Sequence, residues 1–84
     1  MMNALLYPIA TEKALGKVDK ENTIIYVVDM RSDKTAIRKE FEKTFGVKVS
    51  SVNTVRTIRN IKKAYIKLDK GVKASEIARK MKLV

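Results

Sequence analysis

The chain contains no cysteine and no histidine. The first absence excludes disulfides, thiol nucleophiles and thiolate metal sites. The second removes the commonest metal ligand and the usual general base. Proline occurs once, as Pro8, and the three glycines, Gly16, Gly46 and Gly71, lie far apart, so no glycine-rich loop can cradle a phosphate. The apolar run Ile24 to Val28 is far shorter than the roughly 20 residues needed to cross a bilayer. The opening residues carry no basic stretch followed by an apolar run of signal-peptide type. The expectation is a soluble intracellular protein without membrane insertion, metal or cofactor.

Carboxylates are scarce in one half only. Residues 1–42 hold seven basic and seven acidic residues, whereas residues 43–84 hold twelve basic residues against Asp69 and Glu76. The net charge of +10 therefore lies wholly in the second half, and no carboxylate occurs between Lys43 and Lys67. A thermophile-style solvated surface would intersperse acidic groups. A neutral half joined to a basic half points instead to a polyanion-binding surface.

The 84 residues, 45% hydrophobic, suffice for one small folded domain over 1–84. A domain of this size buries only roughly 60–65% of the surface of its unfolded chain, which leaves a thin core and little room for a walled active site. The carboxylates Glu12, Asp19, Glu21, Asp29, Asp33, Glu40 and Glu42 show no metal-loop spacing, and helix caps or surface pairs account for most of them. Catalysis and a small-molecule substrate are not expected.

Pro8 follows the apolar stretch Ala4 to Tyr7 and suits extended backbone, with a first strand allowed near residues 3–7. Thr11 has the side chain of an N-cap, Glu12 suits the first helical turn, and Gly16 is placed to end a short helix. Residues 23–29 are β-branched and aromatic, with apolar side chains on both faces, as in a central strand. Ser32 or Asp33 caps a helix over 34–45, where Ile37, Phe41 and Phe45 form one stripe and Gly46 ends it. Residues 47–58 read as a strand whose alternation slips near Ser50 and Ser51, the signature of a bulge or loop start. Residues 62–69 alternate cleanly, and the short Thr57–Ile61 connection makes the two strands an antiparallel hairpin. Gly71 turns the chain, and Ser75 caps a last helix carrying Ile77 and Met81. The expected class is α+β: a small, mainly antiparallel sheet with packed helices.

The hairpin gathers Arg56, Arg59, Lys62, Lys63 and Lys67. Such groups neutralise phosphates and release counterions. Asn53 and Thr54 offer hydrogen bonds to phosphate or sugar. Alternation puts Tyr65 on one face with Lys63 and Lys67, where it either stacks a base or ribose or simply covers part of the core. For Glu12, first-turn capping is a sufficient physical account.

Several segments occur in order: Pro8-Ile9-Ala10-Thr11-Glu12-Lys13, Asn22-Thr23, Phe45-Gly46-Val47-Lys48-Val49, Val52-Asn53-Thr54 and Lys62-Lys63-Ala64-Tyr65-Ile66-Lys67-Leu68. Each is weak alone, but the ordered set, across roughly residues 8–81, resembles the ribosomal protein L23 family. The resemblance implies a cytoplasmic protein of the large ribosomal subunit, bound to large-subunit rRNA at the tunnel exit beside ribosomal protein L29. It also implies a docking surface for the signal recognition particle and nascent-chain chaperones. Thr11 and Lys13 match the motif near the rRNA contact, while Asn53, Thr54, Lys63 and Tyr65 match hairpin motifs that lie against rRNA. Glu12 matches the carboxylate used by docking factors. Bacterial members carry a long basic loop between the hairpin strands. Here the short Thr57–Ile61 connection, like the segment Ala74-Ser75-Glu76-Ile77-Ala78, resembles the archaeal form.

Without the resemblance, three other readings stay open. They are a free-standing nucleic-acid-binding module, a protein-interaction domain whose charge serves solubility, and a small hydrolytic enzyme.

Overall fold

Thr23–Val28, the most apolar segment of the chain, forms strand β2, and the rest of the molecule is arranged about it. The computed structural model describes residues 4–81. Residue 3, allowed for the first strand, and Lys82, in the basic tail, lie outside the described residues. The elements follow in the order β1 (Leu5–Pro8), α1 (Glu12–Glu21), β2, α2 (Lys34–Phe45), β3 (Val49–Arg56), β4 (Lys62–Leu68) and α3 (Ala74–Lys80). The sheet order is β1-β2-β4-β3, and every neighbouring pair is antiparallel. This is the expected α+β arrangement, with β2 and β4 central.

Strand register sorts the side chains. Ile24, Tyr26 and Val28 share a face with Lys62, Ala64, Ile66 and Leu68 of β4 and with Val52, Thr54 and Arg56 of β3. All three helices contribute to one core on that side: Val18 from α1, Ile37 and Phe41 from α2, and Ala74, Ile77 and Ala78 from α3. Phe41 is fully buried, its ring edge-on to Tyr26 at 6.3 Å and tilted against Phe45 at 4.6 Å. The Ile37–Phe41–Phe45 stripe is therefore core, as its spacing implied.

The slip in β3 is a register shift between Val49 and Ser51, where the bulge was expected. Asp33 accepts from the Ala36 N–H at 2.7 Å and caps α2, and Gly46 closes it at φ 65, in the left-handed region.

Two expected boundaries are corrected. α1 does not stop at Gly16 but runs to Glu21, and Asn22 ends it at φ 52. An interior glycine costs a helix only about 1 kcal/mol. Burial of Val18 and the Lys17–Glu21 ion pair at 3.0 Å both favour continuation. Ser75 does not cap α3, which begins at Ala74 after Lys73 and takes its cap from Asn22.

Candidate nucleic-acid interface

The core helices lie over one face of the sheet. The opposite face carries three cross-strand rows, fixed by register: Thr23–Lys67–Ser51, Ile25–Tyr65–Asn53 and Val27–Lys63–Val55. Facing residues in such rows sit about 5 Å apart. Along β4, Lys63 and Lys67 are about 14 Å apart at the backbone, with Tyr65 midway. Polar and cationic groups dominate the β4 and β3 side of this face. Ile25 and Val27, although buried, lie on the β2 side.

The first half of the chain completes the surface. Ile9, Ala14, Lys17, Ile25, Lys63 and Tyr65 border one depression, so α1 flanks the rows along one side. The Lys17 ammonium stands 5.8 Å from the centroid of the Tyr65 ring and 3.0 Å from the Glu21 carboxylate. Lys17, Thr23, Ser51, Asn53, Tyr65 and Lys67 also share the neighbouring depression. Two cations, an aromatic ring, two hydroxyls and an amide thus line one depression, with the Glu21 carboxylate at its edge. They supply a phosphate counter-charge, a stacking platform and donors for sugar oxygens.

The residues singled out in the sequence fall into four places. Asn53, Lys63, Tyr65 and Lys67 share the open face. Thr54, Arg56 and Lys62 belong to the opposite face by register, and the Lys62 ammonium donates to the Ser32 carbonyl instead of standing free in solvent. Arg59 stands exposed in the hairpin turn. Thr11, Glu12 and Lys13 are exposed at the start of α1, where the Thr11 hydroxyl accepts from the Ala14 N–H at 3.2 Å as the helix cap, and Thr11 and Lys13 also line the depression that holds Lys63 and Tyr65. Glu12 sits in the first turn, at the positive end of the helix dipole.

Sequence reasoning missed Lys17 and Ser51. Lys13 and Lys17 are four residues apart and so lie on one helical face, but only if the helix continues through Gly16. Ending α1 there conceals the signal. Ser51 falls within the slip of β3, and the bulge returns it to the open face beside Lys67.

Among the described residues two ionisable groups are perturbed, both away from this surface. Burial pushes the Tyr26 phenol above its ordinary value of 10.0. The Arg31 backbone N–H on Asp29, 2.9 Å away, holds that carboxyl below its ordinary value, with the Arg31 charge adding to the effect.

The family model described as "Ribosomal protein L23" matches residues 3–76. The large ribosomal subunit protein uL23 of Tetrahymena thermophila is 46% identical over 77 residues, 92% of this chain and 51% of that protein. The large ribosomal subunit protein uL23 of Trypanosoma brucei brucei is 42% identical over 78 residues, 93% of this chain and 48% of that protein. The large ribosomal subunit protein uL23c of Spinacia oleracea is 46% identical over 74 residues, 88% of this chain and 37% of that protein. The chain thus spans about half the length of the first two relatives and less of the third.

Proposed function

This chain belongs to the ribosomal protein L23 family, and from that premise we propose that it is a non-catalytic, structural constituent of the large ribosomal subunit. It binds large-subunit rRNA through the open face of its sheet. The observation that carries this reading is the pairing of the basic half of the chain with a sheet face left open on its β4 and β3 side, α1 lying along its β2 edge. Lys63, Tyr65, Lys67 and Asn53 stand together there, with Lys17 alongside. Phosphates meet Lys17, Lys63 and Lys67, with Lys13 and Arg59 at the margins. Tyr65 stacks on a base or ribose, and Asn53 and Ser51 donate to backbone oxygens.

Residues on the opposite face take a lesser part. Arg56 reaches RNA near the hairpin turn, while Lys62 and Thr54 chiefly hold the sheet.

The site of assembly is the rim of the tunnel exit, beside ribosomal protein L29, in cytoplasmic ribosomes. Exposed Glu12, at the start of α1, is the contact for the signal recognition particle and nascent-chain chaperones. What supports this finer reading is the motif around Glu12 together with family membership.

The test is binding of the purified chain to large-subunit rRNA fragments, random RNA and duplex DNA across a salt series. About five phosphate contacts give a log–log salt slope of about −4 to −5. Selective binding to one rRNA fragment is the expected result. Equal binding to all three polyanions would replace the ribosomal reading with a free-standing nucleic-acid-binding module.

A further inference from the structure

The hairpin between β3 and β4 ends in an isoleucine standing wholly in solvent: Ile58 is exposed to 103% of its reference area. A single exposed aliphatic side chain ordinarily needs no account. Three features set this one apart.

The turn that carries it is closed. The Thr57 N–H donates to the Ile61 carbonyl at 2.8 Å, the Asn60 N–H to the Thr57 carbonyl at 3.1 Å, and the Ile61 N–H to the Thr57 hydroxyl at 3.2 Å. Asn60 takes the left-handed conformation, φ 59, that the turn requires. Ile58 thus projects from a turn braced by three hydrogen bonds. Its β-branch also stiffens χ1, so little freedom is lost when it is gripped.

Every charged side chain between Lys43 and Lys67 is cationic. Arg56, Arg59 and Lys63 border one open depression with Ile58. An apolar tip within a ring of cations is complementary to a polyanion that can offer an apolar slot.

The depression is also continuous with the open face, through Lys63 and its row partner Val55, itself 49% exposed.

Resting on the RNA-binding reading above, we propose that Ile58 is a wedge that inserts between bases at an unstacked step of RNA, a bulge or an internal loop. Arg56 and Arg59 hold the flanking phosphates, a task for which planar guanidinium groups are suited. Paired RNA does not satisfy this tip. The deep groove of the A-form helix is closed to side chains, and its shallow groove displays hydroxyls. Apolar side chains enter nucleic acid where the stack is already weak or is opened by bending. The hairpin therefore contributes selectivity for irregular RNA, whereas the lysines of the open face contribute affinity without selectivity.

The test compares the full chain with Ile58→Ala on two RNA stems of equal length and charge. One carries an internal loop labelled with 2-aminopurine, and the other is fully paired. Ile58 is fully exposed, so its truncation leaves the fold intact, as circular dichroism will check. The wild-type chain is expected to prefer the interrupted stem about tenfold, the scale of burying part of one aliphatic side chain. It should also raise the 2-aminopurine fluorescence. Ile58→Ala should lose both effects and keep the salt slope. If Ile58→Ala keeps the preference and the fluorescence change while Arg56→Glu with Arg59→Glu weakens binding, the wedge is wrong and the RNA reading stands. If the wild-type chain binds both stems equally, the wedge is likewise wrong. Normal RNA binding by Ile58→Ala with poor incorporation into large subunits would place Ile58 on a protein and overturn the wedge. Failure of the wild-type chain to bind either stem or any rRNA fragment removes the RNA reading and the wedge with it.

Discussion

The side-chain oxygen of Asn22 accepts a hydrogen bond from the Ala74 N–H at 2.7 Å, so α3 is capped by a residue 52 positions earlier in the chain. The same amide donates to the Val72 carbonyl at 2.7 Å, and more weakly to Asp69 at 3.3 Å and Leu68 at 3.4 Å. Asn22 also ends α1 in the left-handed conformation and precedes β2 directly. One residue therefore locks the end of α1, the turn after β4 and the start of α3.

Asn22→Ala should lose the cap, the carbonyl contacts and the easy positive φ together. The expected destabilisation is about 2–4 kcal/mol, combining one cap, one good hydrogen bond and one strained backbone position. Asn22→Gly restores the backbone freedom but not the bonds, and should recover about 1 kcal/mol of that loss. Urea denaturation of the three proteins will separate the two contributions. Equal stability of Asn22→Gly and wild type would mean the side-chain network contributes nothing.

Lys17 and Lys62 should behave oppositely. Lys17→Ala removes a cation from the open face, so RNA affinity should fall and the salt slope should shrink by about 1. Its effect on stability should be small, because the Lys17–Glu21 pair is a surface ion pair. Lys62→Met keeps the apolar stem but loses the bond to the Ser32 carbonyl. It should leave the salt slope nearly unchanged and cost about 1 kcal/mol of stability. Fluorescence titrations across salt, paired with denaturation curves, will show whether the two lysines divide in this way.

Tyr65→Phe and Tyr65→Ala distinguish stacking from hydrogen bonding. If the ring stacks on RNA, the phenylalanine variant should bind within a few-fold of wild type. The alanine variant should lose roughly 1–3 kcal/mol of binding. Equal losses in both variants would assign the contact to the phenol hydroxyl instead.

Tyr26 makes stability depend on alkaline pH. Burial raises its folded-state value, so the folded protein holds the phenol proton more tightly than the unfolded chain does. The stabilisation linked to this proton is complete below the ordinary value of 10.0 and is lost as pH rises through the raised folded value. Tyr26→Phe should therefore lose less stability than wild type as pH rises through and above the ordinary value of 10.0. Lysine deprotonation is common to both proteins, so the difference between their melting curves isolates Tyr26. Parallel curves would show that the phenol is ionised equally easily in both states.

Much of the fold is legible because it is written in local patterns. The β-branched run at Thr23–Val28, the Ile37–Phe41–Phe45 stripe, the Asp33 and Gly46 caps and the alternation of residues 62–68 each follow from spacing over a few residues. The places where local reading fails are those where a distant partner decides. Gly16 would end an isolated helix, but α1 is held past it by the burial of Val18 against the common core. Ser75 would suit a cap, but the Asn22 amide arrives first from across the molecule.

The chemical character of the surface was set by the sequence alone. The absence of cysteine and histidine excludes thiol and imidazole chemistry, and the carboxylate-free stretch from Lys43 to Lys67 makes the second half of the chain basic. Which cations act together was decided only by the tertiary structure. Strand pairing puts Lys63, Lys67, Asn53 and Ser51 on one face and turns Arg56 and Lys62 to the other. Packing of α1 then brings Lys17 to the ring of Tyr65, a residue 48 positions away. Charge is a property of single residues and survives in any listing of them. Convergence depends on register and on which face the helices cover, and those are fixed only when the whole core closes.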